Sequence, residues 1–130
     1  LSHTQHGLKN KHETSLLLIG ADDRLTTEIE KVLQYSVITA NHSIEAAELL
    51  HLNAGVFAQL IVLQTKNDPL KQLAELRKNL AWAGLPTAFV IDKMTPELEQ
   101  VFTQHNITRW LTTPIEEEKL NNLAAELIEI

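Results

Sequence analysis

Apolar residues along the chain fall into short runs separated by polar, turn-rich stretches, and the most telling run is Leu60-Ile61-Val62-Leu63-Gln64. Four consecutive large apolar residues, two of them β-branched, followed by Thr65-Lys66-Asn67-Asp68-Pro69, have the pattern of a strand buried on both faces of a parallel sheet. We take it as the central, third strand. Ser15-Leu16-Leu17-Leu18-Ile19, closed by Gly20, predicts a first strand, and the β-branched Ser36-Val37-Ile38-Thr39-Ala40 a second. Thr87-Ala88-Phe89-Val90-Ile91 after Pro86 predicts a fourth, and Arg109-Trp110-Leu111-Thr112 a brief fifth.

Helical spacing fills the intervals. Asp22-Asp23 precede Leu25, Ile29, Val32 and Leu33. Ser43 is expected to cap a second helix that carries Ile44, Ala47, Leu50 and Leu52 and stops near Gly55. Asn67 or Asp68 caps a third, with Pro69 in its first position and an apolar face of Leu70, Leu73, Leu76 and Leu80. Thr95-Pro96 opens a short fourth with Leu98, Val101 and Phe102, and Thr113-Pro114-Ile115-Glu116 reads as a capping box opening the last. In that last helix Leu120, Leu123, Leu127 and Ile130 fall at the spacing of a coiled-coil seam. We read the leucines as cover for the sheet, and expect the helix to continue toward a linker in a parent protein. Five strands alternating with five helices predict an α/β fold, a doubly wound parallel sheet, because each parallel crossover requires a helix.

Composition narrows the partners. At 130 residues and 44% apolar content the chain suits one domain with a real core. No run approaches the ~20 apolar residues of a membrane helix. The absence of cysteine excludes disulfides, thiol catalysis and thiolate metal sites, and suits a cytoplasmic location. A net charge of −6 with no dense Lys/Arg patch argues against a nucleic-acid surface. Residues 1–14 are polar, carry His3, His6 and His12 and begin at Leu1, so we read them as a flexible lead-in or cloning remnant of an excised piece. The domain is expected over residues 15–130.

From Ser15 onward the order and spacing of motifs resemble a response-regulator receiver domain of the CheY-like, flavodoxin-like class. The resemblance rests on Leu16 to Leu25, the Leu60-Ile61-Val62-Leu63 run, Leu85-Pro86 before the fourth strand, and Trp110-Leu111-Thr112-Thr113-Pro114-Ile115, similar to the family's aromatic-hydrophobic-Thr-Lys-Pro-Phe signature. It implies strand order 2-1-3-4-5 and a site at the carboxyl ends of the strands. The family places there an acidic pair that holds Mg2+, a phosphoacceptor Asp, a Ser or Thr, and a Lys, which together stabilise an acyl phosphate and its transition state. Aligned without gaps, the acidic pair falls on Gly20 and Ala21, the acceptor on Gln64, the hydroxyl on Ile91 and the Lys on Thr113. All five positions depart from the family, and an amide at Gln64 is neither a nucleophile nor a good hard-cation ligand.

The remaining polar groups have simpler readings. Asp22 and Asp23 would reach a metal only from a longer loop, whereas carboxylates at a helix start are favoured by capping and by the helix dipole. Asp68 precedes Pro69 as a cap, and Thr113 is read as the cap partner of Glu116. His42, His51 and His105 are scattered and expected in solvent, and neither a metal site nor a cofactor is expected. Trp110 occupies the family's switch-aromatic position, and is read as half-buried against the fourth helix or as an anchor for a partner.

These observations lead to a pseudo-receiver, not an enzyme: a two-component-type signalling module, independent of phosphorylation, that regulates an attached output domain or a protein partner. A homodimer through helix 4, strand 5 and helix 5 is expected. Two alternatives use the same crevice: a small-ligand sensor lined by Gly20, Ala21, Gln64, Thr65, Ile91 and Asp92, and a phosphoacceptor with a displaced acidic loop. An enzyme of flavodoxin-like fold is the least favoured reading, since the sequence holds no glycine-rich phosphate loop, nucleophile-base pair or metal cluster.

Overall fold

The computed structural model describes residues 15–33, 35–52, 55–64, 68–80 and 84–129. Five strands, β1 (Ser15–Ile19), β2 (Ser36–Ala40), β3 (Val56–Leu63), β4 (Thr87–Ile91) and β5 (Trp110–Thr112), alternate with five helices. These are α1 (Asp23–Val32), α2 (Ser43–Leu52), α3 (Pro69–Leu80), α4 (Pro96–Gln104) and α5 (Glu117–Glu129). All strand pairs are parallel and the order is β2-β1-β3-β4-β5, as expected of the receiver layout.

Alternation along each strand divides the core into two layers. Leu16, Leu18, Leu60, Val62 and Val90 project to the face covered by Ile29 of α1 and by Leu120, Leu123, Ala124 and Leu127 of α5. Leu17, Ile19, Ile61, Leu63, Phe89 and Ile91 project to the opposite face, under Ala46, Leu73, Leu76, Leu98 and Phe102 of the remaining helices. The seam leucines of α5 are thus spent on the sheet, while Ile128 stays exposed and Ile130 lies outside the described residues.

Several boundaries differ from expectation. β3 begins at Val56, four residues before the Leu60 run, because the polar Gln59 that interrupts the apolar pattern is buried all the same, its Nε2 donating to Thr87 Oγ1 at 2.9 Å. Thr87 Oγ1 passes the chain on to the Leu85 carbonyl at 2.9 Å. α2 is capped by His42 and not by Ser43: the His42 carbonyl accepts from Ala46 N and its Nδ1 accepts from Glu45 N at 3.3 Å. Ser43 lies inside the first turn, buried, and its Oγ accepts from Asn79 Nδ2 of α3 at 2.8 Å. The capping box at Thr113 does not form. Thr113 N extends the sheet by donating to the Ile91 carbonyl at 2.9 Å, the Thr113–Pro114 peptide is cis, and α5 starts only at Glu117. Asp68 starts α3 through its main chain, its carbonyl accepting from Lys71 N and Gln72 N at 3.1 Å, with φ 51° in the left-handed region that Asp tolerates better than most residues.

Candidate functional site

Parallel topology brings the carboxyl ends of β1, β3, β4 and β5 to one end of the sheet, where the chain leaves each strand and a crevice opens. The crevice has a volume of about 480 Å³. Its apolar side is Leu25, Val62, Leu63, Val90, Ile91 and Pro114, and its polar side is Asp22, Arg24, Glu28, Gln64, Asp92 and Thr113. Gln64, Ile91 and Thr113, three positions assigned from sequence, therefore meet in one place. Gly20 and Ala21 do not line it. Ala21 packs against the α1/α5 side of the core, and Gly20 turns away at φ 81°, its amide donating to the Ala40 carbonyl at 2.8 Å. Thr65 lies outside the described residues.

Arg24 and Glu28 enter the crevice from one face of α1, and the sequence reading did not single them out. Their signal was present: they sit four apart, and so on the same side of any helix starting at Asp23. Asp22 is committed to that helix start. Its Oδ1 accepts from Leu25 N at 2.8 Å, as an N-cap carboxylate should.

Gln64 is half-buried just past β3, with its backbone N–H donating to Gln72 Oε1 of α3 at 3.2 Å. This bond ties the strand end to α3 through the main chain and does not depend on the Gln64 side chain. Gln64→Leu is accordingly expected to shift unfolding free energy by no more than about 1 kcal/mol. Denaturant melts of the two proteins check this, and a loss beyond ~3 kcal/mol would mean that the amide carries essential buried bonds.

A divalent cation of the kind the receiver family holds does not fit these residues. On the sequence alignment the acidic pair falls on Gly20 and Ala21 and the acceptor on the amide of Gln64, and of the crevice carboxylates Asp22, Glu28 and Asp92, Asp22 serves α1 as its cap. Among the described residues, no group of three or more His, Asp or Glu side chains is placed to hold a metal ion. The histidines differ from expectation in one case. His42 and His51 are exposed, but His105 is partly buried with Nδ1 2.7 Å from Arg77 Nη1, and because guanidinium can only donate, the imidazole nitrogen accepts.

Away from the crevice, Trp110 on the edge strand β5 is 40% exposed. Its ring centroid lies 5.4 Å from that of Phe102 on α4, tilted by 55°, and Phe102 in turn stacks on Phe89 at 5.4 Å. Trp110 is thus part-exposed and packed on α4.

No family model matches the sequence, and no curated protein matches it. Solved structures do resemble the fold. A response regulator from Thermotoga maritima superposes with a TM-score of 0.72 at 12% identity, covering 90% of this chain and 98% of its own. The fold is that of a response-regulator receiver. The receiver domain of a modulated diguanylate cyclase from Desulfovibrio desulfuricans G20 gives 0.65 at 21% identity, over 88% of this chain and 93% of that one. NtrX from Brucella abortus gives 0.66 at 17% identity, and there the match covers 88% of this chain but 26% of NtrX. The receiver fold thus occurs as a minor part of a longer chain. Among the described residues no helix is long and apolar enough to cross a membrane.

Proposed function

We propose that this receiver fold is a pseudo-receiver, a signalling module that works without phosphorylation and without catalysis. The observation that carries the reading is the content of the strand-end crevice. Where the family has its acceptor, hydroxyl and Lys, this crevice has Gln64, Ile91 and Thr113, and neither an acyl phosphate nor a cation to neutralise it has the groups it needs. The retained receiver fold then serves as an interaction platform in two-component-type regulation, in keeping with a cytoplasmic location. The face of α4, β5 and α5 around Trp110 is its contact with an output domain or protein partner, because a half-exposed aromatic fixed by Phe102 is a preorganised anchor. The diguanylate cyclase and NtrX parallels support an attached output domain.

Restoring the acceptor alone tests the reading of the site. A Gln64→Asp variant incubated with acetyl phosphate and Mg2+ is expected to stay unmodified by intact-mass measurement, since the metal ligands and the Lys are still missing. Phosphorylation of that variant would mean that Asp22, Glu28 or Asp92 supplies the cation site and that the displaced-loop alternative is correct.

The size of the crevice and its apolar floor favour one second reading, a small-ligand sensor. A ligand there would meet Val62, Val90 and Ile91 below and a rim of Asp22, Glu28 and Asp92 against Arg24, the one cation among the described lining residues. Thermal stabilisation by nucleotides or quinones would favour this reading over the interaction platform.

A further inference from the structure

The outer surface of the α2-α3-α4 layer carries features that the crevice and Trp110 leave unexplained. Among the described residues, five large hydrophobic side chains are exposed, and three belong to this layer: Ile44 at 57%, Leu52 at 76% and Leu70 at 49%. Ile44 and Leu52 stand eight residues apart on α2, about two turns or ~12 Å, with the exposed Glu48 between them. Beside them, α3 and α4 enclose a groove of about 460 Å³ floored by Leu70, Leu73, Ala74 and Val101. From Leu70 to Arg77 the groove runs ~10 Å along α3, which matches the α2 stripe in length.

The α2 and α3 ridges are also opposite in charge. α2 carries Glu45 and Glu48 and neither Lys nor Arg, whereas α3 exposes Lys71, Arg77 and Lys78 against a single Glu75; the α4 wall of the groove adds Glu97, so the charge match rests on α3. An apolar stripe with an acidic ridge lying next to an apolar groove with a basic ridge is a self-complementary surface. A two-fold axis along the seam between α2 and α3 places each copy's α2 over the other copy's α3 and α4, so the same pair of contacts forms twice. We propose that the α2-α3-α4 layer is a homodimer interface, in which Ile44 and Leu52 of each copy seat in the Leu70/Ala74/Val101 groove of the other and Glu45 and Glu48 face Lys71 and Lys78. This surface lies on the helical layer opposite α1 and α5, does not involve Trp110, and stands whether or not the crevice is a vestige.

Analytical ultracentrifugation of the chain from a few to hundreds of micromolar, with charge-swapped variants, tests it. Wild type is expected to show a concentration-dependent dimer that weakens with added salt. Leu52→Glu is expected to weaken it at least tenfold, and Trp110→Ala to leave it unchanged. Glu45→Lys/Glu48→Lys makes both ridges basic, and Lys71→Glu/Lys78→Glu makes both acidic, so each variant alone is expected to be monomeric. Mixed one to one they are expected to form a heterodimer, because both contacts are then attractive. These substitutions are on exposed or half-exposed positions, and circular dichroism confirms that each variant is folded. A wild type that stays monomeric throughout, a dimer indifferent to Leu52→Glu, or a mixture that fails to associate overturns the proposal. A dimer lost in Trp110→Ala but kept in Leu52→Glu also overturns it and moves the interface to the α4-β5-α5 face.

Discussion

Replacing Phe89 with alanine is expected to destabilise the domain by about 3–5 kcal/mol, the usual range for deleting a fully buried aromatic side chain. Phe89 is 1% exposed in the middle of β4, paired with Ile61 on β3 and Trp110 on β5, and its ring stacks on Phe102 of α4. Truncation would remove the innermost ring of the Trp110-Phe102-Phe89 series, opening a cavity that rigid strands on both sides cannot close. Against a total stability of roughly 5–15 kcal/mol for a domain, that loss is a large share. The melting temperature is expected to fall by on the order of 10–20 °C. Differential scanning calorimetry measures it, and a fall of only a degree or two would mean that Phe89 is not the keystone of this layer. Loss of Phe89 should also loosen Phe102, on which the Trp110 ring packs, and a shift in Trp fluorescence before unfolding would report it.

Gly20→Asp is the second large effect, and it bears on the site. It puts a carboxylate where the proposed site reading sets the first of the family's two acidic residues, and yet it is expected to cost about 1–3 kcal/mol of stability. Gly20 has φ 81°, where a side chain is strained, and a Cβ built on it would lie 3.2 Å from the Val62 carbonyl oxygen. β3 is paired to β1 through Ile19 and Ile61 next door, so this backbone has little room to retreat. In this conformation the loop after β1 accepts a side chain at position 20 only with strain. Urea denaturation of the variant checks the figure, and a stability equal to wild type would mean that the loop can relax into a metal-holding form.

Much of the fold was legible because it depends on patterns that only one environment produces. Leu60-Ile61-Val62-Leu63 is apolar on both alternating faces, which requires a doubly covered strand, and Pro69 and Thr95-Pro96 mark helix starts by the geometry of proline itself. The misjudged boundaries are those decided by tertiary partners. Gln59 looks like a strand end until Thr87 is seen across the ladder, and Ser43 looks like a cap until Asn79 is seen to take its hydroxyl. Thr113-Pro114-Ile115-Glu116 fits a capping box letter by letter, but the Thr113 amide is held by the Ile91 carbonyl, and the sheet bond outcompetes the helix start.

The site divides in the same way. Gln64, Ile91 and Thr113 follow directly from counting along strands, since a parallel sheet brings all strand ends together. Arg24 and Glu28 reach the crevice through the rotation of α1, and Gly20 and Ala21 leave it through a turn at positive φ, neither of which strand counting contains.

The central claim, a receiver fold that signals without accepting phosphate, is tested most directly by incubating the wild-type chain with acetyl phosphate and Mg2+ and measuring its intact mass. The amide of Gln64 and the absence of a metal-holding acidic pair predict a mass unchanged from the untreated protein. A population heavier by one phosphoryl group would contradict the account.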